Sequence, residues 1–185
     1  MDTNGFTLVF TRELRANFKT FLGWAIPVGI LVAVAQSVQP SMSAPDSLMA
    51  AKLAMLPEGM KQAFGMTSKD FSQPASYLAV NFIYVTLTST LFAGLLGASM
   101  LAKEELHHTA EALLSLPVSR GTVFAGKLVA TLVLASAYQL VMAAAGIGTL
   151  AAVVKGDLQL PLLVQVFVGA GLLSLTFGAV GFLVS

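Results

Sequence analysis

Residues 104–111, EELHHTAE, hold three glutamates and both of the chain's histidines. Glu-x-x-His occurs twice there, as Glu104/His107 and Glu105/His108, the i, i+3 pair with which helical bundles hold two irons. Such a centre draws that pair from two separate helices and adds two further glutamates. Two histidines on one segment do not complete it. Further on, GTVFAGKL at 121–128 follows the phosphate-binding pattern G-x-x-x-x-G-K-[ST] until its last position, where Leu128 replaces the hydroxyl that binds magnesium. That loop should also follow a strand, and Val123 and Phe124 fit poorly where backbone N–H groups must wrap a phosphate. The chain has no cysteine, which removes thiol catalysis and thiolate metal sites. No catalytic, cofactor-binding or metal-ligating residue is predicted, and any ATP has to be hydrolysed by another chain.

The polar stretch lies between two elements of opposite character. Residues 103–127 carry Lys103, Glu104, Glu105, Glu111, Arg120 and Lys127, whereas 71–102 and 128–154 contain no charged residue. Each run exceeds the roughly 20 residues that cross a bilayer as helix. Hydrophobic residues form 56% of the chain and charged ones 10%, against about 25% charged in a soluble domain, with mean hydropathy +0.83. This composition is that of an integral membrane protein. A net charge of +1 without a basic run leaves no footprint for nucleic acid.

A central Lys, Arg or Asp costs about 2.5–3.5 kcal/mol on insertion scales, so charge-free gaps mark the spans. Four gaps qualify: 20–45, 71–102, 128–154 and 158–185. The resulting organisation is a leader at 1–20, span one at 21–38, an outer loop at 39–76, span two at 77–101, a loop at 102–127, span three at 128–154 and span four at 158–185. Only Lys155, Gly156 and Asp157 join the last two spans, which makes them antiparallel neighbours. Arg12, Arg15 and Lys19 precede span one and no cation follows it before Lys52, which predicts a cytoplasmic N-terminus. A cleaved signal peptide ending at AVA (33–35) fits less well, because the leader is long and acidic at Asp2 and Glu13, and apolarity continues to Val38.

In the leader, Phe6, Phe10, Leu14, Phe18 and Phe21 repeat near helical spacing. This predicts a separate helix lying in the interface, with Arg12, Arg15 and Lys19 toward the headgroups. The outer loop contains Pro40, Pro45, Pro57 and Pro74, and a helical-looking stretch at 47–56. In the polar loop, Thr109 is a candidate cap, Glu111 suits the positive helix end, Leu106, Ala110, Leu113 and Leu114 form one apolar stripe, and Pro117 stops the helix. Ser119 is a second cap, with Val118 and Val123 placed as a staple, so span three should begin as helix near Arg120. The loop helix is either a handle for a partner or an amphipathic connector resting on headgroups. The spans contain only mild polar residues such as Gln36, Ser99, Gln139 and Thr176, and the small pairs Ala93/Gly97 and Ser174/Gly178 suit close helix packing.

Residues 101–130, LAKEELHHTAEALLSLPVSRGTVFAGKLVA, resemble the first cytoplasmic loop of type-2 ABC transporter permeases, in which Lys-Glu-Glu, Thr-x-Glu, Leu-Leu-Ser-x-Pro-Val-Ser-Arg and Gly-Lys follow in that order. TRELRANFKT is similar to that family's interfacial elbow helix, and LPEGMKQAFGM to its outer loop. The resemblance implies an all-α polytopic membrane protein with an elbow helix, four of the family's usual six transmembrane helices, and a short cytoplasmic coupling helix between spans two and three. It implies a permease subunit of an exporter in the cell membrane that pairs with a second permease copy or homologue and with a dimer of cytosolic ABC ATPase subunits, which bind the ATP and magnesium. Glu104, Glu105, Thr109, Glu111, Leu114, Pro117 and Arg120 would form or brace the ATPase contact. Arg12, Arg15, Lys19 and Lys127 would sit at the inner headgroup boundary. Four spans against six suggest a truncated chain. A four-span oligomeric channel or membrane scaffold is the alternative, and it needs no acidic loop helix; a membrane enzyme would need more ionisable groups at one depth.

Overall fold

A computed structural model describes residues 3–43, 51–52, 55–63, 74–106, 119–154 and 158–185. Its helices are α1 (Thr3–Ser37), α2 (Gln39–Ser43), α3 (Glu58–Ala63), α4 (Pro74–Leu106), α5 (Arg120–Val153) and α6 (Leu160–Val184), and no strand occurs among the described residues. Four segments are long and apolar enough to cross a membrane: Asn4–Ser41, Asn81–Lys103, Arg120–Val153 and Leu160–Val184. The chain is thus an all-α multi-pass membrane protein with the four predicted spans.

Local chemistry sets several ends. At the start of α5, Ser119 is extended (φ −66°, ψ 144°) and its hydroxyl accepts from the Thr122 N–H, as the sequence predicts. Helix α6 begins with Pro161 in its first turn, where the missing N–H has no helical partner to lose. In the outer loop, residues 51–52 are helical and a turn follows at Met55, whose N–H bonds the Lys52 carbonyl. Of the predicted 47–56 helix, residues 47–50 and 53–54 lie outside the described residues, and Leu56 is a bend, not helix.

The spans form two parallel pairs, α1 with α5 and α4 with α6. Val9 sits on Gly126 and Gly29 lies beside Val141 and Met142, so α1 and α5 run parallel and stay in contact over about five turns. Phe82 meets Phe167 edge-on with ring centroids 5.1 Å apart. Further along the same two helices, a Cβ at Gly97 would overlap the Gly178 carbonyl and stand 2.8 Å from the Phe182 nitrogen. The predicted small-residue positions therefore do carry a backbone-to-backbone approach. Consecutive spans are antiparallel: Phe92 stacks on Tyr138 at 4.7 Å, while Met100, near the end of α4, reaches Lys127, near the start of α5. Phe124 and Phe182 likewise join the start of α5 to the end of α6. The starts of α1 and α5 and the ends of α4 and α6 consequently share one end of the bundle. The core between α1, α4 and α5 centres on Phe92, against Phe21, Trp24 and Tyr138, and large apolar residues such as Ile30, Ile83, Leu140 and Leu172 face outward.

The leader differs from the separate interfacial helix that its phenylalanine spacing predicts. Residues 3–20 are helical, but the helix runs through residue 20 into the span as one 35-residue rod, about 52 Å at 1.5 Å per residue. No glycine or proline interrupts residues 6–22. The stripe that packs inward is Val9, Glu13, Asn17, Phe21 and Ala25, while Phe18 is exposed and Phe6, Phe10 and Leu14 are only partly covered. Polar side chains that find partners inside the bundle thus override the purely apolar stripe.

Candidate functional site

The polar loop leaves the bundle at the last turn of α4 and re-enters at Ser119. Of the residues predicted to meet a partner, Glu104 and Glu105 belong to that last turn and Arg120 is the exposed first residue of α5. Thr109, Glu111, Leu114 and Pro117 lie outside the described residues, as do both histidines and the predicted coupling helix. Arg12, Arg15 and Lys19 fall at i, i+3 and i+7 on the exposed face of α1. That placement agrees with cations turned away from the bundle.

Lys127 does not share that exposure. Its side chain is fully buried between α1, α4 and α5, where its ammonium donates to Glu13 Oε1 and to the Met100 carbonyl, each at 2.8 Å. The family resemblance implies a place at the inner headgroup boundary; in the structure the ammonium instead turns inward to the buried carboxylate of Glu13. Glu13 is itself only 1% exposed. Its second oxygen accepts from Lys103 Nζ at 2.5 Å, a residue at the end of α4 that keeps 25% of its side-chain surface. Arg12 stands 3.9 Å from the same carboxylate on the exposed side. Asn17, one turn along, donates to the Glu13 carbonyl at 2.9 Å and lies 3.8 Å from the Met100 sulfur.

Each helix has a local reason to supply its member of this cluster. On α1, Glu13 and Asn17 are four residues apart on the inward stripe. On α4, Met100 and Lys103 are three apart, so the thioether fills the space beneath the ammonium. On α5, Gly126 lets Val9 approach closely, a Cβ there standing 2.9 Å from the valine, and this brings α1 near enough for Lys127 to span the gap. A carboxylate stripped of water is tolerated when both oxygens are occupied by charged donors; removing one side of such a buried pair costs about 3–5 kcal/mol. The cluster holds three helices by their ends. Chemically it has no substrate-facing nucleophile or general base, and its geometry is that of a structural junction.

A second polar contact lies in mid-bundle. Ser89 donates to Gln139 Oε1 at 2.9 Å, and Gln139 Nε2 donates to the Phe167 carbonyl at 3.0 Å, joining α4, α5 and α6. Gln139 also floors a groove of about 450 Å³ between α5 and α6, with Leu140, Ile147, Val168 and Leu172 on its walls, open on the apolar outer face.

Sequence reasoning missed the role of Glu13, Asn17 and Lys103. The available sign was a carboxylate four residues from Val9, from Asn17 and, by two turns, from Phe21, a polar interruption of an otherwise apolar i, i+4 series.

Residues 7–185 match the family model described as ABC-2 family transporter protein. The chain belongs to the ABC-2 transporter family. No curated protein and no solved structure matches it. Membership makes the four spans those of an ABC transporter membrane domain, and such membrane subunits are generally not enzymes themselves; an ABC ATPase is their general partner. The loop stems and the Glu13 cluster are therefore features of a transporter's membrane domain.

Proposed function

We propose that this chain is the permease subunit of an ATP-driven ABC exporter in the cell membrane, with a cytoplasmic N-terminus, paired with a second permease copy or homologue and driven by separate cytosolic ATPase subunits. The ATPase acts through the loop at 103–127, with Glu104, Glu105, Thr109, Glu111, Leu114, Pro117 and Arg120 forming or bracing the contact. One observation carries this reading: both stems of the loop emerge at the same bundle end as the leader's three outward cations, Arg12, Arg15 and Lys19. Cations of this kind favour the cytoplasmic side. In addition, residues 21–38, 77–101, 128–154 and 158–185 carry no Asp, Glu, Lys, Arg or His that could couple transport to an ion gradient, which supports an energy source in another subunit.

The test is co-purification of the ATPase with Glu111→Lys and Leu114→Asp variants, together with transport-coupled ATP hydrolysis. Truncating one side of a desolvated charge pair at an interface costs about 2–5 kcal/mol, so subunit association falls measurably while membrane insertion is kept. Undiminished association and coupling in both variants and in their combination would favour the channel or scaffold reading.

A further inference from the structure

Glu13 touches two elements that the chain separates widely, and each of its oxygens serves a different one. Oε2 takes Lys103, three residues before the end of α4, and Oε1 takes Lys127, in the second turn of α5. These two lysines stand at opposite stems of the loop, while Glu13 belongs to neither stem; it is on the leader part of α1. Lys127 also bonds the Met100 carbonyl, so one ammonium links all three helices.

We propose that Glu13 is a positioning residue: its carboxylate ties the leader to both stems of the loop, so that displacement of the loop is passed to α1 and not absorbed where the loop leaves the bundle. Stability alone is a poor account of this cluster. A buried ion pair or triad replaced by apolar residues of similar volume is often neutral or stabilising, whereas ionic contacts fix one register in a way that apolar packing does not. The neighbouring Val9–Gly126 contact already holds α1 against α5 by shape, and Phe21, Phe92 and Tyr138 hold the three helices about two to three turns deeper. The ion cluster adds a directional tie at the end where force on the loop would arrive. That last step rests on the proposed loop-coupled function; the tie itself does not.

The apolar triple variant Glu13→Leu, Lys103→Met, Lys127→Met tests this in the full chain, because it leaves no charge buried without a partner. Spin labels at Thr11 on the leader, paired with Ala102 on one stem or Gly121 on the other, are all at exposed positions. Narrow distance distributions are expected for both pairs in the otherwise unaltered protein, and broad ones in the triple variant, although it melts at the same temperature or higher. In the complex with its ATPase, stimulation of hydrolysis by transported substrate should drop by a factor of about 5 or more, the low end of usual coupling between sites, with association unchanged. Glu13→Gln alone serves as the second variant, expected to broaden both distributions and also to lower the melting temperature. Narrow distributions in the triple variant overturn the tie. Broad distributions with full coupling overturn the transmission of loop movement. If no ATPase associates even with the unaltered chain, the transporter reading fails, and the distances still decide the tie.

Discussion

At the scale of single residues, burial and not charge count determines what each ionisable group does. Lys127 and Glu13 have no water to return to, whereas Lys103 keeps a quarter of its side-chain surface and Arg12 nearly half, at 47%. Exposed partners are screened and contribute little, while the loss of a buried one leaves an uncompensated charge. Glu13→Gln leaves the buried Lys127 ammonium without its counter-charge, with the Met100 carbonyl as its remaining acceptor, and is expected to cost about 3–5 kcal/mol. Lys103→Met leaves Glu13 paired with Lys127 and is expected to cost clearly less. Denaturant unfolding of the purified protein in detergent checks the order; equal losses, or a larger loss for Lys103→Met, would show that the cluster is not organised around Glu13. A Gln139→Leu change is milder in kind, since interhelical hydrogen bonds inside membranes average about 0.6 kcal/mol.

At the scale of elements, glycine positions separate the helix contacts that depend on backbone approach from those that depend on side chains. Gly97 faces the α6 backbone at Gly178, and Gly181 faces the Gly94 carbonyl, so α4 and α6 meet with nothing between them. Gly148, in α5, has open space around its Cα. Gly97→Ala should therefore push α4 from α6 and lower the melting temperature, whereas Gly148→Ala should leave it level or raise it, because alanine is favoured over glycine in a helix by about 1 kcal/mol. Equal tolerance of the two substitutions would contradict the α4–α6 packing. That these two faces pack closely was legible in the sequence, since Ala93/Gly97 and Ser174/Gly178 stand at four-residue spacing and close approach between spans needs small residues; that they meet each other was not. The four spans were legible for a similarly simple reason: charges are expensive in hydrocarbon, and their gaps mark the helices. The Ser119 cap was legible because a hydroxyl just before a helix start has one obvious acceptor role. The path of the leader was not. Phe6, Phe10, Leu14 and Phe18 satisfy an amphipathic pattern as well as any stripe in the chain, and nothing local reveals that Glu13 and Asn17 have partners 83 to 114 residues away. The headgroup position that the family resemblance implied for Lys127 missed its burial for the same cause, since its partner Glu13 is 114 residues away.

At the scale of the whole molecule, the two parallel pairs make a statement about sidedness that no single span carries. If α1 and α5 point one way, α4 and α6 point the other, and the leader, the end of α4, the start of α5 and the last residue of α6 all come to one face. The basic residues before span one support the proposal that this face is cytoplasmic. Cysteine introduced at Ser115 and, separately, at Ser185 should thus react with an impermeant thiol reagent only after the membrane is opened, while cysteine at Ser68 reacts in intact cells; the chain has no native cysteine to confuse the result. Three positions separate two kinds of error. Reversal at all three would invert the orientation but leave the bundle standing. Agreement of Ser185 with Ser68 would break the parallel pairing of α4 with α6, and with it the common end at which Glu13, Lys103 and Lys127 meet. The expected pattern puts both loop stems, the leader's cations and the buried carboxylate on the side where ATP is available, which is the arrangement a membrane domain worked from outside its own spans requires.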